Sequence, residues 1–254
     1  MSDYLPTDVT FESNWQKTMP QIRRAGENAI LLDLATIPSP EILAAMRQLQ
    51  QELERHFAQA LLELVPSYAS LLVVYDVLQL TEAEVLADLT PLLKRWLKQP
   101  LDRWVGRKVQ LPCYYHIDTG PDLARLAAMH QLSCEDIIRL HQQQRYLVYC
   151  IGFAPGFAYL GFVDPRLATP RLAKPRARVP MGAVGIADQQ TAVYPAASPG
   201  GWNIIGNCPL SLFNPASSPM MPFAVGDSIE FVAISRQEFL QMGGDITARV
   251  QDAS

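Results

Sequence analysis

The 254 residues carry 49% hydrophobic and 18% charged side chains, enough apolar material for one large or two ordinary domains and too much for a chain that stays disordered. Lysine and arginine number 21 against 25 aspartate and glutamate, a formal charge of −4, which argues against a dedicated binder of nucleic acid or of anionic membranes. Cys113, Cys134, Cys150 and Cys208 form no C-x-x-C pair, and a chain of this size needs no disulfide staples, so a reducing cytoplasm is the expected setting.

The N-terminal residues hold no basic stretch followed by an apolar one, so no signal peptide is expected. Ala29 to Leu34 reads as a strand. Ser39-Pro40-Glu41 then opens a helix, with serine as cap and proline at the first helical position. Ile42, Leu43, Met46, Leu49, Leu53 and Phe57 follow at three- and four-residue spacing as one apolar stripe. Leu61 to Val65 and Ser70 to Tyr75 read as two strands. Thr81-x-x-Glu84 is a capping box for a second helix, with Val85, Leu89, Leu93 and Trp96 inward and a kink or restart expected at Pro91. This order predicts a small α/β sandwich over 20–106, ended by Pro100 and Gly106.

Glycine divides the chain: only Gly26 and Gly106 precede residue 120, whereas the second half is crowded with glycine and proline. Helices tolerate neither well, so strands and turns are expected there. A strand around Lys108 to Tyr115 is followed by two short helices, Pro121 to Met129 and one capped by Ser133. The strands expected next are Arg145 to Phe153, Val184 to Ala187, Gln190 to Tyr194, Trp202 to Ile205 and Ser228 to Ile234. Many short strands with Gly/Pro turns predict a barrel or sandwich over 107–240. The apolar run from Tyr146 to Val163 is broken by Gly152, Pro155, Gly156 and Gly161, so it reads as a buried strand entering a loop and not a membrane helix.

The chain has no phosphate-binding G-x-x-x-x-G-K-[ST], no G-x-G-x-x-G opening a helix, no H-E-x-x-H and no G-x-S-x-G. The two helices before Arg145 have helix-turn-helix spacing, but the second begins Cys134-Glu135-Asp136 and would meet phosphates with negative charge. Cys113-x-x-His116 and His130-x-x-x-Cys134 hold zinc-ligand types, with nothing to bring the pairs together and a helix-end role as the plainer reading for His130. No metal site is therefore expected.

Arg166, Arg171, Lys174, Arg176 and Arg178 sit between prolines 165, 170, 175 and 180, a braced cationic loop suited to a carboxylate or phosphate, with a solvated basic loop as the alternative. Gln190 and Thr191 lie among apolar neighbours and need partners, either core groups or a ligand. His116 and Asp118 end a strand before Gly120-Pro121, where a general acid or base can be presented. Gly152-Phe-Ala-Pro-Gly-Phe157 is either a tight turn or a pocket wall. Between Asp188 and Asp227 there is no charged residue, although Tyr194, Trp202, Phe213, Met220, Met221 and Phe223 fall inside. That stretch is either barrel core with neutral loops or a partner surface.

Pro112-Cys-Tyr, Gly120-Pro-Asp-Leu123, Gly152-Phe-Ala-Pro-Gly-Phe157, Pro175-Arg176, Val179-Pro180, Gly182-Ala-Val-Gly-Ile-Ala187, Gln190-Thr191, Tyr194-Pro195 and Pro199-Gly-Gly-Trp202 stand in an order that resembles the B-subunit family of 5-oxoprolinase, also called PxpB or KipI, which corresponds to the allophanate hydrolase subunit 1 domain. The resemblance runs from about Ala25 to Ile234. It implies an α+β chain: a small N-terminal α/β sandwich domain followed by a cyclophilin-like β-barrel domain. It further implies two partners, a C-type subunit (PxpC or KipA-like) and an A-type subunit (PxpA-like), in a cytoplasmic, ATP-dependent enzyme that opens 5-oxo-L-proline to L-glutamate. ATP, with Mg, is then bound by the complex and is not assigned to this chain. On that reading Arg176 and Arg178 hold the substrate carboxylate or a phosphate, Gln190 and Thr191 donate from the barrel wall, and His116 is the candidate catalytic residue. Relatives that inhibit a histidine kinase or belong to urea-processing enzymes supply the alternative activities.

Overall fold

The computed structural model describes residues 12, 14–102 and 104–252. They fall into two compact units, the first ending at Val105 and the second beginning at Gly106.

In the first unit, β1 (Gln21–Arg24) and β2 (Ala29–Asp33) lead to α1 (Pro40–Phe57), β3 (Leu61–Ser67), β4 (Ser70–Tyr75) and α2 (Glu82–Lys98). The sheet is antiparallel in the order β1-β2-β4-β3. Helix α1 starts where the Ser39 side chain accepts from the Ile42 N–H and Pro40 takes the first turn. All six residues of its apolar stripe are buried. Burial of each large side chain there contributes about 1.5–3 kcal/mol. Thr81 and Glu84 form the reciprocal capping box of α2, whose Val85, Leu89, Leu92, Leu93 and Trp96 are buried. Contrary to the expectation of a restart, α2 runs through Pro91, which is exposed and leaves one carbonyl of the preceding turn without its helical donor. Strand β1 is the element missed here: Gln-Ile-Arg-Arg is mostly exposed and has no apolar alternation.

The second unit comprises β5 (Lys108–Cys113), α3 (Leu123–His130), α4 (Cys134–Gln143), β6 (Arg145–Ile151), β7 (Ala158–Gly161), β8 (Arg176–Val179), β9 (Ala183–Ala187), β10 (Gln190–Val193), β11 (Ser198–Gly200), β12 (Asn203–Asn207), β13 (Ser228–Ala233) and α5 (Arg236–Gln241). Seven strands form one sheet in the order β12-β9-β10-β7-β6-β13-β5, and a bridge between Tyr114 and Asn207 brings its two edges together. The sheet is thus a nearly closed barrel, antiparallel throughout except for β13 beside β5. Its interior is filled from α3 and α4 as well as from the strands, with Leu126, Ile137 and Leu140 in one cluster with Val148, Ile186, Ile205 and Phe231. The second helix of the helix-turn-helix spacing is therefore committed to the barrel. Strands β8 and β11 pair with each other as a separate ribbon, and Phe157, Tyr194 and Trp202 form a second cluster with Val179 of β8.

Candidate functional site

The string Gly120-Pro-Asp-Leu123 is explained by close packing. A Cβ at Gly120 would lie 2.2 Å from the Ile205 carbonyl carbon, so only glycine lets this loop lie on β12. Asp122, 4% exposed, accepts the Ile204 N–H at 2.7 Å and a bidentate pair from Arg176 at 2.7 and 2.9 Å. Hydrogen bonding to Asp122 raises the Arg176 guanidinium further above its ordinary value, against the lowering effect of burial. Two of the three guanidinium nitrogens of Arg176 thus pin β8 to the entrance of α3, and of the three only Nε is left for a further anion. Arg166 is likewise paired with Asp164 at 2.7 Å.

Thr191 needs a correction. It is fully buried, its hydroxyl lies 2.9 Å from the Gly185 carbonyl and 2.9 Å from Nε2 of His141, and Nδ1 of His141 meets the Tyr115 hydroxyl at 2.8 Å. The Gly185 carbonyl can only accept, so Thr191 donates to it and His141 donates from Nε2. Thr191 is thus an interior strut and does not reach a ligand. Burial lowers His141 to about 3, which keeps it neutral. Gln190 is half-buried at the start of β10 beside Gly161 and Ala187. At about 3.3 Å per residue it stands roughly 13 Å from the Tyr194 end of that strand.

At the Tyr194 end, the structure forms a cavity of about 200 Å³. Its barrel wall includes Arg178, Met181, Asn207 and Cys208. The C-terminal segment closes the other side with Gly243, Gly244, Asp245 and Ala248. Gly182 has φ +79° and no room for a Cβ, which would sit 2.3 Å from the Cys208 carbonyl oxygen, so the turn before β9 depends on glycine. Burial pushes the Cys208 thiol up to about 11, so it lines the cavity as a neutral group and not as a nucleophile.

His116 belongs to the same end of the barrel. Its ring stacks on Tyr114 at 5.5 Å, Tyr114 pairs with cavity-lining Asn207 and stacks on Phe239 at 5.2 Å, and Gly244 packs on Phe239. Nδ1 of His116 lies 3.1 Å from the Asp118 carboxylate and 3.2 Å from the Asp118 N–H. Nδ1 serves one of these partners at a time, accepting the N–H when unprotonated and donating to the carboxylate when protonated, and either contact leaves Nε2 directed away from Asp118. Arg178 and His116 are thus brought to one end of the barrel, while Gln190 and Thr191 are not.

Three other features resolve. Gly152 N–H bonds the Phe157 carbonyl at 3.1 Å and Phe157 N–H bonds the Ala154 carbonyl at 2.9 Å, so the glycine-rich string closes as a tight turn that uses these two donors internally. His130 meets Thr169 Oγ1 at 2.7 Å instead of the last carbonyls of α3. Among the described residues no three His, Cys, Asp or Glu side chains converge on a metal position. Sequence reasoning missed Asp122 as the partner of Arg176, and missed Asn207, Cys208 and the segment Gly243–Asp252. Asp122 stood inside a quoted motif, whereas the C-terminal segment has no periodic pattern at all.

Residues 20–223 match the family described as the carboxyltransferase domain, subdomain C and D. The B subunit of 5-oxoprolinase from Bacillus subtilis (strain 168) is 35% identical over 227 residues, covering 86% of this chain and 95% of that protein. Among solved structures, TTHA0988 superposes with a TM-score of 0.71 at 33% identity, over 85% of this chain and 40% of that longer chain. The urea carboxylase of Kluyveromyces lactis gives a TM-score of 0.71 at 19% identity, covering 87% of this chain and 22% of that one, a likeness of fold alone. The architecture is the expected α+β one, with a cyclophilin-like barrel following a small α/β sandwich.

Proposed function

The chain belongs to the B-subunit family of 5-oxoprolinase, and from that premise we propose that it acts as the B subunit of an ATP-dependent 5-oxoprolinase, working only with its C-type (PxpC-like) and A-type (PxpA-like) companions. The observation that carries this reading is the 35% identity over 95% of the Bacillus subtilis protein. The reaction adds water to the lactam carbonyl, breaks the ring C–N bond and delivers a proton to the departing nitrogen, giving L-glutamate.

Within that reaction the cavity beside β8 takes the substrate, its about 200 Å³ being of the size of a small amino-acid derivative. Arg178 supplies the cation for the carboxylate. His116, oriented by Asp118, carries the proton at Nε2. ATP with Mg is a co-substrate of the whole assembly. The sequence has no G-x-x-x-x-G-K-[ST] phosphate loop, so the nucleotide and its metal are not assigned to this chain's residues. The nucleotide then sits on a companion protein or is shared with one.

Co-expressing this chain with its C-type and A-type companions and measuring ATP-dependent glutamate release tests the proposal. Activity is expected from the trio and not from the lone chain. Arg178→Ala is expected to raise KM for 5-oxoproline at least tenfold with little change in melting temperature. Full turnover by the chain alone, or none by the trio, rejects the assignment. A role in a carboxyltransferase of the urea-processing kind is the second reading, favoured by the family match over residues 20–223; urea- or allophanate-dependent turnover by the assembly would select it.

A further inference from the structure

The C-terminal segment Gly243–Asp252 does more than wall the cavity. It bridges to β8 at one residue pair: the Arg178 N–H donates to the Gln251 carbonyl at 3.2 Å and the Gln251 N–H donates to the Arg178 carbonyl at 2.8 Å. The next residue, Asp252, brings Oδ1 to 3.4 Å from Nε of Arg176. Arg176 is 8% exposed and its Nε–H is buried without a hydrogen-bond acceptor, whereas the Asp252 side chain is 87% exposed.

A buried N–H left without an acceptor is costly, and native structures rarely leave one so. The charge count points the same way. Asp122 faces two guanidinium groups, those of Arg176 at 2.7 Å and Arg125 at 3.5 Å, so the three groups together hold one uncompensated positive charge. Asp252 compensates it only from the solvent side and without a formed hydrogen bond.

From this juxtaposition we propose that Nε of Arg176 anchors a carboxylate subsite that the C-terminal segment covers, with Asp252 in the place of the ligand's carboxylate. A small carboxylate that displaces Asp252 completes the hydrogen bond that Asp252 leaves unmade. The segment that carries Asp252 also lines the cavity beside Arg178 through Gly243, Gly244 and Ala248, so its movement uncovers Arg178 and the subsite together. The equation of that ligand with 5-oxoproline rests on the function proposed above; the subsite itself rests on Arg176, Asp122 and Asp252.

The test uses the full chain labelled with ¹⁵N-arginine. The Nε–H resonance of Arg176, assigned by its loss in Arg176→Lys or by its displacement in Asp252→Asn should the first variant not fold, is followed on adding acetate, L-glutamate or 5-oxo-L-proline. A saturable shift is expected with each. Asp252→Asn, at an exposed side chain, is expected to tighten half-saturation about three- to fivefold, the size appropriate to losing a solvent-screened competitor. Response to acetate and glutamate but not to 5-oxoproline keeps the subsite and overturns the substrate assignment. No response to any of the three, or binding curves that superpose for the wild type and Asp252→Asn, overturns the subsite.

Discussion

His141 shows how a single side chain ties stability to pH. It is fully buried between Tyr115 and Thr191, and burial lowers it to about 3 from an ordinary 6.5. Between those two values the unfolded chain binds a proton that the folded chain refuses, so stability is whole above about pH 6.5 and declines as the pH falls toward 3. The limiting slope is about 1.4 kcal/mol per pH unit. Urea unfolding at pH 7.5, 6 and 5 should show that decline, and His141→Gln should flatten it; equal slopes in the two proteins would remove His141 from the account. The need of Thr191 for a partner was legible in the sequence, but the identity of that partner was not. His141 is 50 positions away on α4, and only the closed barrel carries it to β10. Arg176 was legible as a cation beside prolines, while its partner Asp122, 54 positions earlier, was not.

Elements were readable where a local rule decides them. Ser39 with Pro40, Thr81 with Glu84 and Ser133 with Asp136 each start a helix by the capping contacts seen in the structure. Strands β8 and β11, of four and three residues, were not readable, because neither is long enough to show alternation and their pairing joins segments some twenty residues apart. Pro91 marks the opposite error. Its local signal for a break is outweighed by the buried stripe Leu89, Leu92, Leu93 and Trp96 around it, tertiary packing that holds the helix across the missing hydrogen bond. Since Pro91 is exposed, Pro91→Ala restores a helical N–H without removing packing, and a gain of about 1 kcal/mol or more is expected. Chemical denaturation of the two proteins measures it, and an unchanged or lower midpoint would mean that the proline is fully accommodated.

At the scale of the molecule, the uncharged stretch from Gln189 to Gly226 separates into two uses. Tyr194, Trp202 and Phe223 are buried in the chain's own fold, which accounts for much of the missing charge. Met220 is 53% exposed, and Phe213 and Met221 are half-buried. Next to them stands Phe153, 66% exposed, on the turn whose Gly156 leaves no room for a Cβ against Leu212 and Phe213. Exposed methionine and phenylalanine without intervening charge are the composition of an interface core. If the chain pairs with a C-type companion as proposed above, this face is the expected contact. Phe153→Ser with Met220→Ser should therefore lower retention of that companion at least tenfold in co-purification while leaving the melting temperature of the lone chain within a few degrees, because neither side chain fills the core. Retention at the wild-type level would move the contact to another face. A matching loss of thermal stability would instead return both residues to the packing of the barrel.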